Sequence, residues 1–317
     1  MTRVVVATAI QVILVVAVAP LLVGVMRQVR ARMEGRAGAG VLQPWRDLRK
    51  LARRQPASPI GTGWAFRLAP LALVGTSLVI AAALPLLTTD SPLDSAADLF
   101  AVVGLLALGT VTLALAALDT GTAFGGMGAS REMTVMALVE PTILVAIFAL
   151  SAGAGSTNLA AIVTATLDDP VRVLSPASIL AAAALCVVTV AETGRLPVDN
   201  PSTHLELTMI HEAMVLEYAG IDLALVELAA SMRLTVLLGL LSSLFLPWGI
   251  AVGGAGMSLA ALGVAIAALL VKVGLLGVGL AAVEVFLAKL RLFRVPELLA
   301  GSFVLALLAV TTSYLLA

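Results

Sequence analysis

The chain alternates long apolar stretches with short polar ones along its 317 residues. A bilayer crossing requires about 20 consecutive apolar residues, and eight stretches meet or approach that length. They lie at about 4–25, 66–88, 98–118, 134–153, 177–192, 222–246, 258–283 and 297–316. The pattern predicts an all-α integral membrane protein with about eight transmembrane helices. We interpret 1–317 as a single polytopic membrane domain, with loops on one side at about 27–65, 119–133, 193–221 and 284–296.

Charge gives this arrangement an orientation. Only 12% of the residues are charged and 61% are hydrophobic, whereas a soluble domain carries roughly 25% charged residues. The first loop contains nine basic residues: Arg27, Arg30, Arg32, Arg36, Arg46, Arg49, Lys50, Arg53 and Arg54. The positive-inside rule places this loop in the cytoplasm. An even number of spans then leaves both termini outside.

Cofactor chemistry has little support in the composition. The chain has one cysteine, Cys186, and two histidines, too few for an iron–sulfur cluster. His211-Glu212 opens like a zinc-protease motif, but Val215 stands where the second histidine is needed. The net charge of zero gives no sign of nucleic-acid binding. We therefore expect no metal and no redox cofactor on this chain.

A short basic segment in the first loop has helical periodicity. Trp45, Leu48, Leu51 and Ala52 recur on one face, and basic residues surround them. This predicts an amphipathic helix at the cytoplasmic interface. Its role is either to set topology at the lipid headgroups or to dock a partner protein.

Carboxylates gather on the predicted cytoplasmic side of the membrane. They are Glu140, Glu192, Glu206, Glu212, Glu217, Glu227 and Glu284. Ionisable groups inside a bilayer are costly and mark proton or cation pathways. We interpret the one-sided set as such a path, with Lys272 and Arg233 as cations able to pair with it. The alternative is a group of buried ion pairs that fix helix register.

The polar segment 191–220 contains both histidines. Glu206 and Glu217 would share a face of a continuous helix, and so would His204 and His211. We expect the histidines to titrate near neutral pH or to hydrogen-bond the glutamates. Pro197 and Pro201 stiffen the loop before them, in which Arg195 and Asp199 are spaced to pair. These patterns predict a polar chamber facing the cytoplasm and name no reaction.

The run from Glu192 to Pro201 resembles the quinone-site loop of the H-type membrane subunit (subunit 1) family of respiratory complex I, whose pattern is E-T-N-R-x-P-F-D-x-P. Glu192, Arg195, Pro197, Asp199 and Pro201 match it. The chain differs from that family in Gly194, Val198, Ser202, His204 and about three extra residues between Glu206 and Glu217. These differences weigh against a quinone site.

The run T-H-L-E-L-T-M-x-H-E-A-M-x-L-E-Y-x-G at 203–220 is similar to the branch found in membrane-bound group 4 [NiFe]-hydrogenases, including formate hydrogenlyase subunit 4. Segments 42–51, 125–132, 140–141 and 291–297 agree with it. The resemblance implies a membrane anchor beneath a peripheral arm. Its partners would be a [NiFe] large subunit, a small subunit with a [4Fe-4S] cluster, and antiporter-like membrane subunits.

The resemblance and the charge pattern together assign roles, and none of them is catalytic. The coupling loop and junction comprise Arg195, Asp199, His204, Glu206, His211, Glu212 and Glu217. The intramembrane ion path comprises Glu140, Glu192, Glu227, Lys272 and Glu284. The residues assigned to partner docking are Trp45, Arg46, Asp47, Lys50 and Arg131. The chain would then link electron transfer in the arm to proton or sodium movement. Two alternatives remain, a quinone-site subunit of complex I and a stand-alone ion transporter.

Overall fold

The computed structural model of the protein describes residues 2–94, 97–199, 209–252, 258–288, 290 and 294–315. Helices account for most of these residues. In chain order they are α1 (Thr2–Met33), α2 (Gln43–Ala52), α3 (Trp64–Ala83), α4 (Leu99–Asp119), α5 (Ala123–Ala154), α6 (Leu159–Asp168), a 3₁₀ helix (Pro170–Leu174), α7 (Pro176–Glu192), α8 (His211–Val215), α9 (Gly220–Phe245), α10 (Leu259–Phe286) and α11 (Val295–Leu315).

Eight of these helices correspond to the predicted spans. Seven of the described helices, α1, α3, α4, α5, α9, α10 and α11, are long and apolar enough to cross a membrane. The eighth, α7, has 17 residues and is about 25 Å long at ~1.5 Å per residue. The prediction of an all-α membrane protein with about eight transmembrane helices is confirmed. Because α7 is shorter than a hydrocarbon core of about 30 Å, one of its ends must lie below the surface.

The boundaries differ from the hydropathy pattern at α5. Hydropathy places residues 123–133 in a loop, but they form the first part of this helix. The Thr122 side chain caps its start by accepting a hydrogen bond from Gly125 N. Glycines at the start of α5 allow close packing, since a Cβ at Gly128 would lie 3.0 Å from both Ala213 Cβ and Ile210 O. The glycine-rich stretch is thus a helical packing surface for α8.

Two helices organise the bundle. Helix α5 packs against α4, α7, α8 and α11, and α9 packs against α1, α2, α3, α7 and α10. Small side chains occupy these interfaces, as in other membrane bundles, because they let helix backbones approach closely. Ala146, Ala181, Ala306 and Ala309 are all fully buried.

Helix ends meet at two opposite faces of the bundle. At one, which we call the basic face, α1, α4, α7 and α10 end and α3, α5, α9 and α11 begin. There the Asp119 carboxylate accepts hydrogen bonds from Gly63 N at 2.8 Å and Phe66 N at 3.0 Å, so the last residue of α4 caps the first turn of α3. At the opposite face, buried Gln11 donates to Ala81 O at 2.6 Å and accepts from Leu87 N at 2.9 Å.

The predicted amphipathic helix is present as α2. It lies against α1, where Trp45 Nε1 donates to Ala17 O at 3.1 Å. Arg46, Arg49 and Lys50 are exposed. The chain leading into α2 approaches α1 at Gly24, where a Cβ would overlap the Val41 carbonyl oxygen.

We expect Gly24→Ala to lower the thermal unfolding midpoint of the detergent-solubilised protein by several degrees. The added methyl would have to displace backbone at Val41, and overpacking of this kind costs about 1–3 kcal/mol. Gly279→Ala in α10 is the matched control, because a Cβ there meets nothing within 4 Å. An equal midpoint for both variants would show that the α1–α2 contact is not tight.

Candidate functional site

A cavity of about 620 Å³ lies at the basic face among α1, α4, α5, α7, α8, α9 and α10. Its lining is unusually charged for a membrane protein. The acidic members are Glu132, Glu192, Asp199, Glu212, Glu227 and Glu284, and the basic members are Arg27, Arg30, Arg36, Arg195 and Arg233, with His211 beside them. Charged side chains inside a bundle are expected to pair with one another. The ion pairs in this cavity involve residues at or near the ends of α1, α7 and α10.

The cavity lies where α7 ends, at Glu192, and residues 193–199 continue as irregular backbone. Gly194 turns the chain with a positive φ of 58°, and Arg195 N donates to Val190 O at 3.0 Å. Asp199, only 2% exposed, accepts from Ile210 N at 3.2 Å and His211 N at 3.1 Å. Its carboxylate therefore ties residues 193–199, which we call the coupling loop, to the start of α8.

Glu284 joins the coupling loop to two helices. Its side chain is 2% exposed; Oε1 lies 3.5 Å from Arg195 Nη1, and Oε2 lies 3.6 Å from Arg30 Nη1. Burial lowers the pKa of the Arg195 guanidinium, and the Glu284 carboxylate opposes that effect. Leu290 N also donates to Pro197 O at 3.0 Å. The coupling loop is thus held to α1 and to the end of α10 by buried charge and a backbone hydrogen bond.

A second ion pair lies deeper. Arg233 is about 20 Å along α9 from Gly220, at ~1.5 Å per residue, and it pairs with Glu192 at the end of α7. Its Nη2 also donates to Leu106 O at 3.0 Å and Thr110 Oγ1 at 2.6 Å. The buried end of α7 is therefore the Glu192 end, and Arg233 neutralises it.

Glu140 lies apart from the cavity lining in α5 and is 8% exposed. Both of its carboxyl oxygens are buried without a hydrogen-bond partner among the described residues. Glu140 is thus a buried carboxyl that the local structure leaves unsatisfied, which is typical of functional positions.

Burial shifts the pKa of two side chains on the segment before α9. Desolvation raises the pKa of Glu212, and the neighbouring His211 opposes that shift. Tyr218 stacks on Phe66 with ring centroids 4.1 Å apart and donates its hydroxyl hydrogen to Phe66 O at 2.9 Å. Desolvation raises the pKa of Tyr218 as well, so this contact is a neutral hydrogen bond that fixes the start of α9 against α3.

The structure brings most of the sequence-predicted site together. The cavity is lined by Glu192, Arg195, Asp199, His211, Glu212, Glu227 and Glu284. The Arg195 side chain pairs with Glu284, and a backbone hydrogen bond from Asp199 N to Arg195 O at 3.1 Å joins Arg195 and Asp199. His204 and Glu206 lie outside the described residues. The continuous helix on which Glu206 and Glu217 would share a face is not formed, because Met209 and Ile210 are not helical and α8 ends at Val215.

Other predicted residues lie elsewhere. Lys272 donates to Leu246 O at 2.8 Å and Trp248 O at 2.9 Å, at the end of α9 on the opposite face. Glu217 lies in the turn between α8 and α9 and does not line the cavity. Arg131 points inward and donates to Met209 O at 2.9 Å. Asp47 accepts from Gln43 within α2 at 2.8 Å.

Sequence reasoning misses Glu132 and Arg30 as cavity residues. Glu132 falls in the predicted loop because hydropathy begins α5 too late. Arg30 belongs by sequence to a topology-setting cluster, although α1 continues to Met33. The sequence does offer one indication that Arg30 lines the cavity with Arg27: the two residues are three apart, and residues three apart share a helix face.

No group of three or more histidine, cysteine, aspartate and glutamate side chains able to hold a metal occurs within the described ranges. The arrangement supports proton or cation handling instead: a charged cavity at one face, fixed ion pairs at its floor and an unsatisfied carboxyl beyond them. A family model matches nearly the whole length of this chain. Residues 5–314 match the family model described as NADH dehydrogenase.

The chain belongs to the NADH dehydrogenase family. It is 39% identical to formate hydrogenlyase subunit 4 of Escherichia coli strain K12 over 240 residues, 76% of this chain and 77% of that protein. It is 38% identical to hydrogenase-4 component C of the same strain over 253 residues, 80% of this chain and 78% of that one. The predicted resemblance to the H-type membrane subunit of complex I, in its hydrogenase branch, is confirmed.

A more distant relative and a solved structure agree with this family. The H-type subunit of NADH-quinone oxidoreductase from Anoxybacillus flavithermus is 30% identical over 231 residues, 69% of this chain and 67% of that protein. A chain in the structure of the membrane-bound sulfane sulfur reductase, an archaeal respiratory membrane complex, superimposes with a TM-score of 0.81 at 20% identity. The superposition covers 98% of this chain and 99% of that one, and it shows a shared fold. The chain is a complex I-like membrane subunit.

We expect Glu284→Gln to loosen the coupling loop. A neutral amide loses the ion pairs to Arg30 and Arg195, and a loss of about 1.4 kcal/mol in local stability corresponds to a tenfold change in an equilibrium. Hydrogen–deuterium exchange of the Val198 and Asp199 amides should accelerate about tenfold or more. Glu297→Gln, an exposed position at the start of α11, should leave exchange at the loop unchanged. Equal loop protection in both variants would contradict the role of Glu284.

Proposed function

We propose that this chain is the membrane anchor and coupling subunit of a complex I-like, membrane-bound [NiFe]-hydrogenase complex of the formate hydrogenlyase type. It links electron transfer in a peripheral arm to proton or sodium translocation. The chain itself carries no catalytic residue and no redox cofactor. Its partners are a [NiFe]-hydrogenase-like large subunit, a [4Fe-4S] small subunit and antiporter-like membrane subunits, and the metal centres belong to those partners.

One observation carries the proposal. The coupling loop lies at the basic face, where its Arg195 side chain is held in a buried ion pair. Asp199 bonds the start of α8, and Arg195 bonds Glu284. Glu192, the residue that closes α7 just before the loop, pairs with Arg233 inside the bundle. A displacement of the loop at the surface would therefore change the partners of buried charges. The similarity to formate hydrogenlyase subunit 4 and hydrogenase-4 component C supports a hydrogenase partner.

The mechanism follows from these contacts. A change of charge or position in the arm above the loop shifts Arg195 and Asp199. Glu284 and Glu192 then lose or gain their arginine partners, and the proton affinity of neighbouring carboxyls changes with them. Ion movement in the adjacent membrane subunits is the response. The coupling is a free energy shared between two sites, so that ion movement must also bias the loop.

The basic face is the cytoplasmic face in this proposal, and the membrane is the prokaryotic plasma membrane. The support is the cluster of arginines and lysine at the end of α1 and on α2, which the positive-inside rule assigns to the cytoplasm. Both termini then lie outside.

Docking of the arm uses the same face. Arg46, Arg49 and Lys50 project from α2 into solvent, where they could meet acidic residues of a partner. Trp45 and Asp47 on α2 and Arg131 on α5 are the other residues of this proposed docking surface. His211, Glu212 and Glu217 belong to the proposed junction together with His204 and Glu206, and Glu227 in α9 belongs to the proposed ion path.

A second candidate is the quinone-site subunit of an NADH-quinone oxidoreductase. The cavity volume of about 620 Å³ lies within the usual range for small-molecule sites. Its lining combines arginines with Val23, Leu113 and Leu234. The similarity to the H-type subunit of NADH-quinone oxidoreductase is lower than to the two hydrogenase-associated proteins.

The experiment that separates the candidates is mild-detergent purification of the complex through a tag on this chain, with mass spectrometry of the partners and metal analysis. Nickel and iron together with a hydrogenase-like large subunit would support the proposal. Iron without nickel, together with NADH-oxidising subunits and a bound quinone, would replace it with the second candidate. Recovery of the chain alone, without metal, would overturn both.

We expect Glu140→Gln to uncouple ion movement from electron transfer, because the amide cannot release or accept a proton. Proton or sodium uptake by proteoliposomes containing the complex should fall at least tenfold, while the subunit composition stays the same. Glu297→Gln is the control for the same chemical change at an exposed site. Normal ion uptake by Glu140→Gln would remove Glu140 from the path.

A further inference from the structure

Arg233 is a buried cation with carboxylates on more than one side. It pairs directly with Glu192 from α7. It also interacts electrostatically with Glu132 and Glu140, both on α5. A buried charge stays ionised only when nearby partners compensate it. How Arg233 divides its charge among these three carboxyls is therefore decisive for their protonation.

The side chain of Arg233 is placed by α4 as well as by Glu192. Leu106 O and Thr110 Oγ1 accept from its Nη2. Gly109 leaves room for Nη1, since a Cβ there would lie 3.3 Å away. The Arg233 Nε is buried and has no hydrogen-bond partner in the part of the chain that the structure describes, so this nitrogen retains a donor that the present arrangement leaves unused.

The three carboxyls differ in what they contact. Glu192 has a side chain that is 2% exposed and an arginine partner, which favours its ionised form. Glu132 lines the cavity and is partly exposed, and it lies at the cavity wall rather than in the ion pair with Arg233. Glu140 is buried, and neither of its oxygens finds a hydrogen-bond partner within the described ranges. A carboxyl in that setting favours the neutral form, because a buried carboxylate without hydrogen bonds is costly.

We propose that Arg233 is a positioning residue that divides two roles between buried carboxyls: it holds Glu192 as a fixed carboxylate and leaves Glu140 as the carboxyl that exchanges a proton. This inference rests on the proposed function and names the regulation of the same site. When Glu140 loses its proton, the charge of Arg233 acts on the new carboxylate, and Glu192 takes up one proton from water in the cavity. One proton leaves and one enters, so the three groups keep the same total charge.

Infrared difference spectroscopy of the purified complex tests this assignment directly. Protonated carboxylic acids absorb separately from carboxylates and shift on deuteration. Wild-type minus Glu140→Gln should show the loss of one such band. Arg233→Gln should instead gain a band of equal intensity, about doubling the signal, because Glu192 without its cation becomes neutral. Arg172→Gln, an exposed arginine at the opposite face, should leave the spectrum unchanged.

Two further variants keep the test decisive if Arg233→Gln does not assemble. Arg233→Lys preserves the charge and should keep the wild-type spectrum. The double variant Glu192→Gln, Arg233→Gln removes both members of the pair and should retain the single Glu140 band. Absence of that band in the double variant, or its persistence in Glu140→Gln, would overturn the proposal.

The spectra are independent of the proposed function. If the complex moves no ions but the bands behave as described, the proposed coupling function fails and the charge assignment of Arg233 stands. If ion uptake depends on Glu140 but the Glu140→Gln spectrum shows no lost band, the coupling function stands and the role of Arg233 is wrong.

Discussion

Charged side chains inside an apolar bilayer must find their partners within the protein, and this constraint shapes the centre of the molecule. Arg233 and Glu192 meet in the wall of the cavity, and Leu106 O and Thr110 complete the guanidinium's contacts. Removing either charge alone would leave the other uncompensated, which typically costs about 3–5 kcal/mol. The pair therefore fixes where α7 can end relative to α4 and α9.

The early end of α7 has consequences for the basic face. A helix long enough to reach the surface would fill the space that the coupling loop and the cavity now occupy. Because α7 stops at Glu192, residues 193–199 must pass through partly buried space as irregular backbone, which is tolerated at membrane depth only where protein surrounds it. Asp199 satisfies two amides there, and Glu284 neutralises Arg195 and Arg30. In the proposed function, these buried contacts are what a partner above the loop would act on.

Rigid packing elsewhere confines that response. The alanine-rich contacts of α5 with α7 and α11 bring backbones close together, and the Phe66–Tyr218 stack holds the start of α9. Gln11 and the Thr88–Ala251 bridge close the opposite face. Movement at the coupling loop would therefore be transmitted through side-chain partners rather than through displacement of whole helices.

The sequence by itself determined the membrane class, the number of spans, the amphipathic helix α2 and most of the acidic cavity residues, because hydropathy and charge act locally along the chain. It failed where long-range contacts decide the outcome. Residues 123–133 are helical and pack on α8 at Gly128, Lys272 bonds carbonyls at the end of α9, and Arg30 pairs with Glu284 of the neighbouring helix α10. Only the tertiary structure distinguished Glu140 from the other glutamates, because the partners that satisfy Glu192 and Glu284 come from distant helices, and no hydrogen-bonding group of the described residues reaches Glu140.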